Sequence, residues 1–352
     1  MSRKTFFNLL KVGLGLFLVW MLWKTGLVAP ARVLGAFQNS PQWVALALIF
    51  HTTIFVGLGY RWVMIARAAG FPLPLGLGQK LTFVGHFFSS IFPGNGAGEV
   101  AKAWILSRHE LRDDTGSTTL RNPDGTVTEV LHRSARPTQM GMAQAIGTMI
   151  PDRLTGMTGL FTGWATCLGL CIVQTPTHAT VLLPFFLFAV AMAIALLAGL
   201  FVLPRLSLNL QDRLSSTRWS RFLGPVNKGL ESLRQSGASR PTLVRALGLS
   251  LGIQTLFYLA CFACAKALGY TASLVTLGAT MPLAALSNSI PATPGGVGIG
   301  EGVAAGALQA LGHTPQVGAE IMFLLRLVLW FIALAGFVVW LTLRRETPKG
   351  MS

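Results

Sequence analysis

The sequence predicts an all-α integral membrane protein with about six transmembrane helices and two re-entrant helical hairpins, related as an inverted-topology repeat. Three observations predict it. The 352 residues are 52% hydrophobic and only 11% charged, with a mean hydropathy of +0.58, a composition typical of membrane chains. Six apolar runs, at 6–23, 43–66, 141–173, 181–203, 243–267 and 317–343, come close to or exceed the roughly 20 residues a helix needs to cross the hydrocarbon core. Two further apolar runs, at 81–106 and 274–311, are broken midway by Pro and Gly. Such a break at membrane depth is tolerated only where protein or a water-filled cavity surrounds it.

Charge placement orients these elements. Of 28 Lys and Arg against 12 Asp and Glu, giving a net charge of +16, most fall in four groups. Arg3, Lys4 and Lys11 start the first span; Arg108, Arg112, Arg121, Arg133 and Arg136 follow the first broken run. Arg205, Arg213, Arg218, Arg221, Lys228, Arg234 and Arg240 precede the fifth span, and Arg344, Arg345 and Lys349 follow the sixth. The positive-inside rule assigns all four to the cytoplasm, leaving Lys24, Arg32 and Lys266 near the outer surface. Both termini are then cytoplasmic in a multi-pass protein of the bacterial inner membrane. The same placement argues against nucleic acid as a partner, because no basic patch is interleaved with exposed aromatics on a soluble domain.

The first run has the basic start of a cleaved signal, with Ala29-Pro30-Ala31 as a small-residue site, yet it reads better as a span. The second span then returns, and the first hairpin dips in from the cytoplasmic side. Spans three, four and five alternate, so the second hairpin dips in from outside. Hairpins entering from opposite faces are what an inverted repeat requires. Repeat A covers about 43–173, with a cytoplasmic insert at 109–139, and repeat B about 243–343, within a single polytopic domain. In the insert, Leu120-Arg121-Asn122-Pro123-Asp124-Gly125-Thr126-Val127 has the turn chemistry of a small β-hairpin. The connector at 205–238 places Leu206, Leu210, Leu214, Phe222, Val226, Leu230 and Leu233 at helical spacing among basic residues, as in an amphipathic helix on an anionic leaflet.

Each hairpin carries Gly-x-Gly-x-Gly-Glu: Gly94, Gly96, Gly98 and Glu99, then Gly296, Gly298, Gly300 and Glu301. The span after each supplies an arginine, Arg153 or Arg326, 54 and 25 residues beyond its glutamate. The insert accounts for the difference. One reading is structural: a carboxylate at a helix N-terminus caps free N–H groups, and the arginine neutralises it. The other is functional. Glycine N–H groups at a helix start make an anion-binding concavity, and Arg153 and Arg326 add guanidinium groups suited to a phosphate. Gly94, Gly96, Gly98, Pro294, Gly295, Gly296 and Gly298 would then shape a substrate site with Glu99, Asp152 and Glu301. Glu99, Glu301 and His86 are candidates for a coupling proton, since burial raises a carboxylate pKa.

Other chemistry finds little support. Gly300-Glu301-Gly302 with Ala305 loosely fits a dinucleotide fingerprint but follows no β-strand. Cys261 and Cys264 are too close on a helix for an ordinary disulfide, and like Cys167 and Cys171 read as small core residues. Asp113-Asp114 is a weak hint of a metal or nucleotide-sugar site. No catalytic residues, cofactor or metal are expected.

The block Ile290-Pro291-Ala292-Thr293-Pro294-Gly295-Gly296-Val297-Gly298, running on to Glu301, strongly resembles the signature of the lysylphosphatidylglycerol synthase transmembrane family, also called flippase-like. Phe92-Pro93-Gly94-Asn95-Gly96-Ala97-Gly98-Glu99, Asp152-Arg153 and Tyr60-Arg61-Trp62 are similar to its other recurring features. The resemblance implies translocation of a lipid with an anionic phosphate headgroup, by a stand-alone member without the soluble synthase domain. Two alternatives stay open: a membrane-embedded lipid or polyprenyl-phosphate sugar transferase, and an accessory subunit of a lipid-modifying enzyme. Membrane lipids are the expected partners, with a lipid-modifying enzyme or a second copy of the chain as protein partners.

Overall fold

The computed structural model describes residues 3–92, 96–108, 142–201 and 240–346 and four short strands between 109 and 141, with side chains described over 13–92, 96–108, 145–201 and 240–344. Helix α1 (Arg3–Lys24) leads through a turn at Gly26 to the short α2 (Pro30–Asn39) and the long α3 (Pro41–Ala68). Proline opens both α2 and α3, where its missing N–H has no helical partner to lose. Helices α4 (Leu75–Ile91) and α5 (Gly96–Leu106) form the first hairpin. After the insert come α6 (Met142–Gln174) and α7 (Ala179–Phe201), joined by the single 3-10 turn Pro176–His178. Then follow α8 (Arg240–Ala267), the second hairpin of α9 (Leu274–Ser287) and α10 (Ile299–Gln309), and α11 (Pro315–Glu346).

Among the described residues, five segments are long and apolar enough to cross a membrane: Pro41–Ala68, Ala145–Gln174, Pro176–Phe201, Arg240–Ala267 and Pro315–Arg344. The chain is thus a helical, multi-pass membrane protein. The described apolar part of the first expected span, Gly13–Lys24, is shorter than these. Both broken runs are hairpins of two short helices, as the Pro/Gly clusters predict. In the insert, β2 (Ser117–Arg121) pairs antiparallel with β3 (Val127–Leu131), Arg121 opposite Val127, on either side of the expected turn. A second ladder joins β1 (Glu110–Leu111) to β4 (Thr138–Gln139). The insert therefore adds strands to an otherwise all-α membrane fold. Gly94, Asp113, Asp114 and the connector 205–238 lie outside the described residues.

The element order occurs twice: long helix, short hairpin, long helix, as α3, α4–α5, α6 and again as α8, α9–α10, α11. The two halves interlock. Helix α3 packs along α8, and α4 of the first hairpin lies against α11 of the second half. His86 on α4 meets the Leu329 carbonyl on α11 through Nε2 at 3.0 Å. Buried tryptophans find partners for their indole N–H, as they must away from water: Trp62 donates to Thr148 Oγ1 at 3.2 Å, and Trp164 to the Ala279 carbonyl at 2.7 Å. Helix α7 is apolar all round, with only Leu182, Ala189, Ala193 and Leu200 buried, the pattern of a helix facing lipid.

Candidate functional site

The second glycine turn is built first by backbone. Gly295, Gly296 and Gly298 have φ of +58°, +71° and +85°, a region that costs residues with a Cβ about 1–2 kcal/mol. Gly298 precedes α10, and its N–H donates to Glu301 Oε2 at 2.8 Å, satisfying one of the free amides at the helix start. Arg326 on α11 closes the turn. Its Nε donates to Glu301 Oε1, its Nη2 to Glu301 Oε2 at 3.0 Å and Gly296 O at 3.2 Å, and its Nη1 to Gly295 O at 2.6 Å. A weaker bond reaches Asn288 Oδ1 at 3.4 Å. Glu301 is fully buried and Arg326 is 6% exposed. Pro294 packs beside Gly15 of α1, and a Cβ on Gly298 would strike Leu18 of the same helix.

The first half pairs the equivalent residues more openly. Arg153 Nη2 donates to Glu99 Oε1 at 2.7 Å, but Arg153 is 50% exposed and Glu99 25%. A second cation, Lys102, reaches the same Oε1 at 3.0 Å from a buried position with its ammonium 4.8 Å from the Trp62 ring centroid. Gly96 opens α5 with nothing close to its Cβ position, whereas a Cβ on Gly98 would collide with the Gly85 carbonyl and Ser89 Oγ on α4. The hairpin closes only because that position is glycine.

Asp152 and Arg153 part company. Adjacent helical residues point about 100° apart, and Asp152 turns to Arg61 on α3, accepting from Nε at 2.7 Å and Nη2 at 3.2 Å. Arg61 Nη1 donates in turn to Ser250 Oγ on α8 at 2.8 Å. This triad ties both halves together near the site, so Asp152 faces a protein cation.

Two cavities adjoin these pairs. The first, with about 650 Å³ of empty volume, is lined by Arg61, Lys102, Arg153, Glu99 and Asp152, with Trp62, Phe55 and others. Three cations against two carboxylates leave it net positive. The second, about 560 Å³, is lined by Arg326, Gly295, Asn288, Ser90 and Trp330, among others. His86 and Ser89 line both. Glu301 itself lines neither of them.

A separate ionic cluster sits away from the hairpin turns. Glu320 on α11 is fully buried; it accepts from Ala29 N at 3.0 Å, Tyr270 O–H at 2.6 Å and Arg32 Nη1 at 3.3 Å. Arg32 Nη1 also donates to Tyr270 Oη at 2.7 Å. Partial burial, then the bond to Glu320, pushes the Tyr270 hydroxyl up to about 12. The bond to Tyr270 and the charge of Glu320 raise the Arg32 guanidinium.

Sequence reasoning missed Lys102, although its i, i+3 spacing from Glu99 is the helical signal for such a pair. It also missed the Arg61–Asp152 bond and the role of Asn288, which only the rotation of each helix decides. The cysteines at 167, 171, 261 and 264 are free. The family model described as the lysylphosphatidylglycerol synthase TM region matches residues 8–121 and 129–336. None of the curated proteins matches the chain.

Proposed function

The chain belongs to the lysylphosphatidylglycerol synthase TM family, whose model matches nearly all of it, and from that premise we propose that it translocates a phospholipid across the bacterial inner membrane. The observation that carries this reading is the pair of Glu–Arg sites on glycine hairpins, each beside a cavity, with His86 and Ser89 lining both cavities. Ionisable groups at membrane depth are expensive and by default mark a substrate or ion path. A net positive cavity suits a phosphate headgroup. Exposed Val100 and Trp104 on the helix of Glu99, and Met157 on the helix of Arg153, offer apolar surface for acyl chains.

In this reading the two halves are inverted repeats, the first hairpin opening toward the cytoplasm and the second toward the outside, with both termini cytoplasmic. The headgroup passes along the two neighbouring cavities while the tails stay in lipid. Reconstitution of the protein into liposomes carrying fluorescent headgroup lipids tests it directly. Movement of at least one anionic phospholipid faster than in protein-free vesicles is the expected result. Equal rates for every lipid class tried would refute the proposal.

A further inference from the structure

The two Glu–Arg sites match in sequence but not in what holds them. Aligned on their glutamates, Glu99 is followed three residues later by Lys102 and Glu301 by Ala304. Among the described residues Arg326 makes five hydrogen bonds and is almost wholly buried; Arg153 makes one, to Glu99, and half of it is exposed to the surroundings. Removing Arg326 from Glu301 would strand a buried carboxylate, which is strongly unfavourable. Removing Arg153 from Glu99 would not, because Lys102 stays bonded to the same oxygen.

Resting on the translocation reading above, we propose that Arg153 is an exchangeable ligand for the phosphate of a lipid headgroup and that Lys102 is the positioning residue which makes the exchange possible. Arg153 leaves Glu99 for the incoming phosphate, and Lys102 keeps Glu99 neutralised until Arg153 returns. Two contacts hold Lys102 in place. Its aliphatic stem lies over Gly85, where a Cβ would come within 3.1 Å of the Lys102 side chain, and its ammonium sits against Trp62. No proton or covalent bond changes hands. The second site has no such spare cation among the described residues, and Arg326 holds the glycine turn shut. The halves are therefore unequal: the first binds the headgroup, and the second supports it.

The test uses purified full-length protein and two phosphate probes, phosphatidylglycerol in mixed micelles and water-soluble glycerol phosphate, with binding read as a change in intrinsic tryptophan fluorescence. Lys102→Met keeps the stem but removes the charge, leaving Arg153 as the only cation on Glu99. A charge-assisted bond that must now be broken without replacement weakens phosphatidylglycerol binding by about tenfold or more. Adding Glu99→Gln to Lys102→Met removes the carboxylate that traps Arg153 and restores binding toward the parent value. The unfolding midpoint in SDS mixed micelles separates this from a merely structural lysine, whose loss would lower the midpoint of Lys102→Met together with binding, whereas a positioning lysine changes binding alone. Binding of Lys102→Met equal to the parent, or a double variant no better than Lys102→Met, overturns the proposal. Response to glycerol phosphate with none to the lipid would assign the site to a soluble anion and overturn the lipid headgroup. Binding is read without transport, so a failure of translocation in vesicles and a failure of the exchange are separate results.

Discussion

Replacing Arg326 by glutamine should cost far more stability than the same change at Arg153, although both arginines pair with a hairpin glutamate. Arg326→Gln leaves Glu301 charged and fully buried, and breaking a buried pair from one side costs about 3–5 kcal/mol. The bonds to the Gly295 and Gly296 carbonyls are lost with it, and glutamine can replace only part of them. Arg153→Gln removes one bond from a half-exposed group whose partner keeps Lys102, so about 0–1 kcal/mol is at stake. The gap of about 2 kcal/mol or more changes the folded-to-unfolded ratio roughly thirtyfold. Unfolding by increasing SDS in mixed micelles, followed by tryptophan fluorescence, measures it. The double variant Arg326→Gln/Glu301→Gln should recover much of the loss, because replacing both charges removes the stranded carboxylate. Equal loss for Arg326→Gln and Arg153→Gln, or no recovery in the double variant, would refute the reasoning.

Gly98→Ala should lower the yield of folded protein in a size-exclusion assay, since its Cβ meets the Gly85 carbonyl, while Gly96→Ala, with open space around it, should not. Gly298→Ala combines a left-handed φ of +85° with contact against Leu18; it should destabilise by at least about 1–2 kcal/mol and loosen α1, seen as faster proteolysis at the N-terminus. Because Tyr270 holds its proton to about pH 12 when folded and to about 10 when unfolded, its contribution is complete below pH 10 and is lost as pH rises to about 12; Tyr270→Phe should flatten thermal stability across that window. In a cysteine-free background, Thr177→Cys should react with a membrane-impermeant maleimide in intact cells and Ser107→Cys only after permeabilisation. The reverse pattern would overturn the proposed orientation.

The hairpins and their glutamate–arginine pairing were legible because they follow from local chemistry repeated in sequence. Pro and Gly break a helix wherever they stand together, and a carboxylate at membrane depth must find a cation. Which cation it finds is not a local matter. Asp152 and Arg153 stand side by side in the chain but bond to different helices, α3 and α5, and the choice depends on the rotation of α6, which packing sets. Helix α2 escaped for another reason: ten residues of mixed polarity carry no span-length signal, and its place is fixed by Val33, Ala36 and the Arg32 bond to Glu320. The inequality of the two sites was hidden because their motifs are alike up to the glutamate; burial, bonding and the change from Lys102 to Ala304 separate Arg153 from Arg326.

The contact of α4 with α11 also sets a timetable for synthesis. His86 and its Leu329 partner are 243 residues apart, so at about 5–20 residues per second the first hairpin waits on the order of ten to fifty seconds for the helix that backs it. During that interval the face of α4 that carries His86 lacks the helix it packs against. A ribosome that stops between α6 and α11 leaves behind a chain whose first half is complete in sequence yet unsupported, a ready substrate for membrane quality-control proteases. Splitting the gene between the halves would replace this delay with one set by how fast the two pieces meet.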